Sequence, residues 1–130
     1  MSYRQISSIF DGVKVPRNYL SPIFDIIIDT YPNMSIIQTC ADYHNISAKK
    51  LYGEDLYEFL RDNDYIIEDD FSSYSYIGRK VFSVDNETDS CSQVLDSLPA
   101  FPHYSLAIEQ LLELAFPNFE PHRFLIVWYL

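Results

Sequence analysis

Leu51 to Phe71, LYGEDLYEFLRDNDYIIEDDF, hold eight carboxylates and one arginine among a row of aromatic and aliphatic side chains. At helical spacing Leu56, Phe59 and Leu60 recur at i, i+3 and i+4, with Leu51 and Tyr52 one turn earlier. Glu54, Asp55, Glu58 and Asp62 fall largely on the other faces, so the stretch predicts an amphipathic helix with an acidic outer surface. If Gly53 opens it, Glu54 and Asp55 lie in the first turn, where the helix dipole favours carboxylates by a few tenths of a kcal/mol each. Asn63-Asp64 supplies a stop. Tyr65-Ile66-Ile67 reads as a short extended or 3₁₀ segment, followed by a second acidic knot, Glu68-Asp69-Asp70, before Phe71.

Working outward, 130 residues suffice for one domain, 1–130, with a single core. Eleven tyrosines, a 16% aromatic content and only three glycines argue against a loop-rich or disordered chain. A formal charge of −10 repels phosphate backbones and anionic lipid, so neither direct nucleic-acid binding nor membrane binding is expected. Cys40 and Cys91 show no CxxC spacing, and Met1 leads into polar residues without an apolar leader. A cytoplasmic protein with reduced thiols is expected. The apolar runs Ile26 to Ile28 and Phe124 to Leu130 are too short to span a bilayer.

In chain order, Met1 to Phe10 suit either a short strand or a helical turn. Asp11-Gly12 marks a turn, and Val13-Lys14-Val15-Pro16 is extended, because the residue before proline is driven from helical geometry. Ser21 as cap and Pro22 at the first position start a helix with Ile23, Ile26, Ile27 and Tyr31 as its stripe, ending before Pro32-Asn33. Met34 to Tyr43 is a second helix behind Asn33 or Ser35, broken at His44-Asn45. Ser47 caps Ala48 to Leu51, with a bend at Gly53. SSYSYIGRKVFSV, Ser72 to Val84, reads as a hairpin centred on Gly78-Arg79. DNETDSC, Asp85 to Cys91, is a loop, and Leu98 to Pro102 an extended connector. Ser105 caps a helix with Leu106, Ile108, Leu111, Leu112 and Ala115 as its face, stopped by Pro117. Arg123 to Leu130 is a strand buried on both sides or docked in a groove. The expected fold is α+β but mainly helical: a small helical bundle with a short β-hairpin and a C-terminal strand.

No catalytic signature is present. The carboxylates are numerous, but acid–base chemistry needs two of them in contrasting environments, and a solvated acidic face is the simpler reading. Asp85-x-Glu87-x-Asp89 lacks the glycine and distal glutamate of a calcium loop. The three histidines and two cysteines do not fall at zinc spacing. Cys40 and His44, at i and i+4, lack a third orienting group, and a small buried thiol is expected instead. No catalytic residue, metal or cofactor is assigned, and the protein is expected not to be an enzyme.

Leu51-Tyr52-Gly53-Glu54-Asp55-Leu56-Tyr57-Glu58-Phe59-Leu60 resembles the start of helix II in acyl carrier proteins and their divergent relatives, where a Leu and Gly precede an acidic helix. Tyr65 to Phe71 looks like the acidic connector, Ser105-Leu106-Ala107-Ile108 like the capped last helix, and Pro22 to Tyr31 like helix I. The family carries phosphopantetheine on a serine after the Asp, and here Leu56 follows Asp55. The resemblance therefore implies a carrier-like regulatory adaptor without carrier chemistry. Ile36 to Tyr43, the turn His44-Asn45-Ile46 and Ser47 to Leu51 are similar to a winged helix-turn-helix, with Ser72 to Val84 as the wing. The acids from Glu54 to Asp70 would follow Lys49 and Lys50 into the phosphates, so this likeness implies shape without DNA function.

Clustered carboxylates steer cationic partners, and tyrosines provide contact energy. Glu54, Asp55, Glu58, Asp62, Asp64, Glu68, Asp69 and Asp70, with Tyr57 and Tyr65, form the expected partner-binding set. The expected partner is a basic protein, a toxin or nucleic-acid-binding enzyme. That is the chemistry of an immunity- or antitoxin-type inhibitor covering a nuclease-like active cleft. The apolar C-terminal run leaves a homodimer open.

Overall fold

Gln5–Pro16 form one twelve-residue strand, β1, running straight through the Asp11-Gly12 pair that the sequence marks as a turn. The computed structural model describes residues 5–69, 72–85, 106–118, 120 and 122–129. The expectations for Asp70, Phe71, the loop through Cys91, the connector 98–102, His103 and the Ser105 cap lie outside these residues. After β1 come a 3₁₀ turn (Arg17–Tyr19), α1 (Leu20–Thr30), α2 (Ser35–His44), a second 3₁₀ turn (Ala48–Lys50) and α3 (Gly53–Asp62). Then follow β2 (Ile66–Glu68), β3 (Tyr74–Asp85), α4 (Leu106–Ala115) and β4 (His122–Tyr129). The four strands make one antiparallel sheet in the order β2-β3-β1-β4.

This corrects the expected architecture. Strands of 12, 3, 12 and 8 residues stand beside helices of 11, 10, 10 and 10, so the fold is α+β but neither mainly helical nor a helical bundle. The hairpin expected over Ser72 to Val84 is a single strand, and the hairpin pairing joins β2 to β3 instead. Gly12 and Gly78 misled because they signal close approach rather than a turn. They face each other in register, and a Cβ on Gly12 would lie 2.1 Å from the Ile77 carbonyl oxygen, one on Gly78 2.1 Å from that of Asp11. Glycine inside a strand marks such an approach of backbones. β4 is an edge strand rather than one buried on both sides, and Leu125 is 40% exposed.

Alternation along β1 sorts its side chains onto two faces. Val13 and Val15, with Ile66 and Ile77 from the neighbouring strands, pack against the helices, whose contribution is Leu20, Phe24, Ile27, Ile37, Leu56, Leu60 and the α4 residues Ile108, Leu111 and Leu112. On the other face Tyr76 meets Phe10 and Phe124 edge-on, with ring centroids 6.4 and 4.8 Å apart, and Lys14 lies over the rings of Tyr74 and Tyr76. The Tyr76–Phe124 contact crosses β1 at Gly12, where no side chain intervenes. A bulge between Ile9 and Phe10, opposite Val81, adds to the bend.

One charge pair is buried in the sheet. Arg123 on β4 donates from Nε and Nη2 to the two oxygens of Asp11, at 2.8 and 2.9 Å, and Asp11 is fully buried. The fork geometry satisfies both carboxylate oxygens, which is what makes a buried ion pair tolerable.

The helices begin and end for readable reasons. α1 starts at Leu20, just ahead of the expected Ser21-Pro22 start, because the 3₁₀ turn leads directly into it, and Pro22 stays within the first turn, where its missing N–H is harmless. α2 is preceded by Met34, not by a side-chain cap, and closes at Asn45 with φ 55, where Ile46 N–H donates back to the Ala41 carbonyl. The chain extends at Leu51 and Tyr52, giving the bend before Gly53, and Asp64 at φ 63 turns it away after α3. Among the described residues, no helix is long and apolar enough to cross a membrane.

Candidate functional site

α3 is the acidic helix expected from the sequence, and its inner face is fixed by Leu56, Phe59 and Leu60, all buried. Its N-terminus is built by two carboxylates. Asp55 Oδ2 accepts the Tyr52 N–H at 2.8 Å, and Asp25 of α1 accepts the Gly53 N–H. Both satisfy donors that a helix start leaves unpaired. A Cβ on Gly53 would sit 2.0 Å from the Ser21 carbonyl oxygen, so α3 abuts the first turn of α1.

Outward from this contact, Glu54, Tyr57, Glu58 and Arg61 form one wall of a cleft of about 730 Å³, with Arg17, Ser21 and Ser73 opposite. A polar chain links its lining residues Arg17, Tyr57 and Arg61 through Ser75 and Glu68. Arg17 Nε donates to Ser75 Oγ at 3.1 Å, Ser75 Oγ lies 3.0 Å from the Tyr57 hydroxyl, and that hydroxyl donates to Glu68 at 2.9 Å. Arg61 then approaches Glu68 at 3.6 Å. Burial raises the Tyr57 hydroxyl pKa; its bond to Ser75 works against this and its bond to Glu68 with it. Arg17 also donates to the carbonyls of Asp69 and Tyr74, at 3.0 and 3.1 Å, and so ties the β2–β3 connection to β1.

The ten expected contact residues therefore divide. Glu54 and Glu58, one turn apart on α3, are exposed and make no hydrogen bond or ion pair among the described residues. The others, Asp70 apart, are engaged. Asp55 caps α3, Asp62 accepts the Tyr43 hydroxyl at 2.8 Å, Asp64 pairs with Lys80 at 3.2 Å, and Asp69 accepts from Ser72 at 2.8 Å. Glu68 accepts the Tyr57 hydroxyl and lies beside Arg61. Tyr65 is half-buried against the core, and its carbonyl accepts from Gly78. Asp70 lies outside the described residues. Tyr52, 73% exposed, and Tyr43, 51% exposed, flank the helix. The Tyr43 hydroxyl is held above its ordinary pKa first by its bond to Asp62.

Arg17 was not readable as part of this site. One arginine after a proline carries no spacing signal, and its role comes from a fold that brings residue 17 beside residues 69–75. The Cys40–His44 pair is no nucleophile and base. Both side chains point at the Asp55 carbonyl, His44 Nε2 donating at 2.9 Å and Cys40 Sγ lying 3.6 Å away. Burial, helped by the Asp55 charge, pushes the thiol up to about 12, where it is unreactive at neutral pH. Among the described residues, no group of three or more His, Cys, Asp or Glu side chains is placed to hold a metal.

The residue after Asp55 is Leu56, fully buried. No protein-family model, no curated protein and no solved structure matches the chain.

Proposed function

We propose that the protein is a non-enzymatic binding module whose α3 face docks onto a basic protein, in the manner of an immunity or antitoxin protein that covers a cationic, nuclease-like cleft. The observation that carries this is the charge accounting of the cleft. Its cations are already committed, Arg17 to Ser75 and backbone carbonyls and Arg61 to Glu68 and Asp62, whereas Glu54 and Glu58 have no counter-ion among the described residues. Like charges at i and i+4 destabilise a helix by about 0.2 to 0.5 kcal/mol, a cost that an incoming cation reverses. The surrounding charge of −10 steers such a partner, and the exposed rings of Tyr43 and Tyr52 offer aromatic contact area beside the acids.

The test compares the immobilised chain with its Glu54→Gln/Glu58→Gln variant in capture from source-cell lysate at low and high salt, with mass spectrometry of what is retained. A basic protein held by the wild type at low salt, released at high salt and lost by the variant supports the reading. Equal retention by the variant, or no basic protein retained, overturns it. These two glutamates suit the test because their neutralisation breaks no internal bond.

A further inference from the structure

β4 ends the sheet on the side opposite α3. The strand order places β2, against which α3 packs, at one edge and β4 at the other. From Phe124 to Tyr129 every residue is apolar or aromatic, FLIVWY, and the strand contains no proline or lysine. Edge strands of this length are ordinarily blunted by charge, proline, a bulge or a cover, because their free N–H and C=O groups template pairing with another strand. On its inner side β4 pairs with β1 residue for residue, from Gln5↔Tyr129 to Gly12↔His122, without a bulge. From Phe124 to Tyr129 nothing among the described residues pairs with its outer side, and the Leu125 residue is 40% exposed.

We infer that β4 is a self-association edge, on which a second copy of this chain pairs its own β4 antiparallel about a twofold axis, joining two four-stranded sheets into one of eight. The second copy fits for reasons of charge and sequence. A twofold contact must be complementary to itself. With the axis at Leu125, Leu125 faces its own copy and Phe124 faces Ile126 on either side, so aliphatic meets aliphatic and aromatic meets β-branched at the central positions. The strand has no acid. His122 and Arg123 stand at one end, so antiparallel pairing carries the two copies' cations to opposite ends of the ladder. A chain of charge −10 repels itself over most of its surface, and this acid-free edge lets two copies approach. Pairing here also leaves both α3 faces turned outward and unobstructed.

Sedimentation equilibrium of the full chain over a concentration series tests this, together with amide hydrogen exchange of β4 and the variant Leu125→Lys. The wild type is expected at twice the chain mass at the upper concentrations, with Phe124 to Tyr129 amides gaining protection as concentration rises. Leu125→Lys, a change at a half-open position, is expected at the chain mass with an unaltered circular dichroism spectrum. A wild type at the chain mass throughout, an equally dimeric Leu125→Lys, or growth beyond the dimer overturns the inference. If the variant loses its fold, the concentration dependence of exchange in the wild type decides alone.

Discussion

The Asp25 carboxylate on α1 accepts the backbone N–H of Gly53, the first residue of α3, so the start of one helix is capped by the side of another. Two distinct effects should follow. Gly53→Ala forces a methyl group against the Ser21 carbonyl at a backbone crossing, and is expected to cost about 2 to 4 kcal/mol. Asp25→Ala removes only a cap and should cost about 1 kcal/mol. Urea unfolding of the two variants separates them, and equal midpoints would contradict this geometry.

Asp11 and Arg123 are tied by two charge-assisted bonds, with Asp11 completely buried. Arg123→Met leaves that carboxylate uncompensated, and a loss of about 3 to 5 kcal/mol is expected. Replacing both residues together, as Asp11→Leu/Arg123→Met, should recover much of it, since two matched apolar groups strand no charge. A double-mutant cycle from denaturant unfolding measures the coupling, and simple additivity would refute it.

Arg17 reaches Ser75 and the carbonyls of Asp69 and Tyr74 with a single planar fork. Arg17→Lys should therefore behave nearly like Arg17→Ala, because an ammonium group does not reproduce that geometry. The expected result is faster amide exchange confined to residues 72–77 and a global loss of about 1 to 3 kcal/mol. Full rescue by lysine would show that charge alone matters there.

Cys40 is held up to about 12 from its ordinary 9.0, and the Tyr57 hydroxyl is raised as well. For both groups the folded state keeps its proton longer than the unfolded state. Their contribution is complete below the unfolded values and is lost as pH climbs through the folded ones, so stability should fall from about pH 9 upward. Cys40→Ala, whatever its baseline loss, should flatten that alkaline slope in urea titrations. Cys40 in a Cys91→Ser background should also ignore a thiol reagent until the chain is unfolded, and rapid labelling of the native protein would contradict its burial.

The acidic helix was legible because its signal is local. Leu56, Phe59 and Leu60 at helical spacing, Gly53 at the start and Asn63-Asp64 at the stop are read within ten residues, and α1, α2, the face of α4 and the strand near Arg123 were legible for the same reason. The sheet was not. β1 carries SSIFDGVKV, whose Asp11-Gly12 looks like a turn until Gly78 is placed opposite it, and Gly78-Arg79 looks like a hairpin until Gly12 is. Each glycine makes sense only with its partner some sixty residues away. The site shows the same division. Glu54 and Glu58 were identifiable from their helix face, but which acids already hold a tyrosine, a lysine or a helix end depended on contacts such as Asp62 with Tyr43 and Asp64 with Lys80.

β1 lies between β3 and β4, strands made long after it. During synthesis Gln5 to Gly12 wait for His122 to Tyr129 while the helices between them are already competent to form from local signals alone. Closing contacts across that separation carries a chain-entropy cost that only the completed sheet offsets, so folding should be slow for a chain of this size. Until then both flanks of β1 are bare, and any chaperone that shields extended apolar segments would find its target in Gln5 to Pro16.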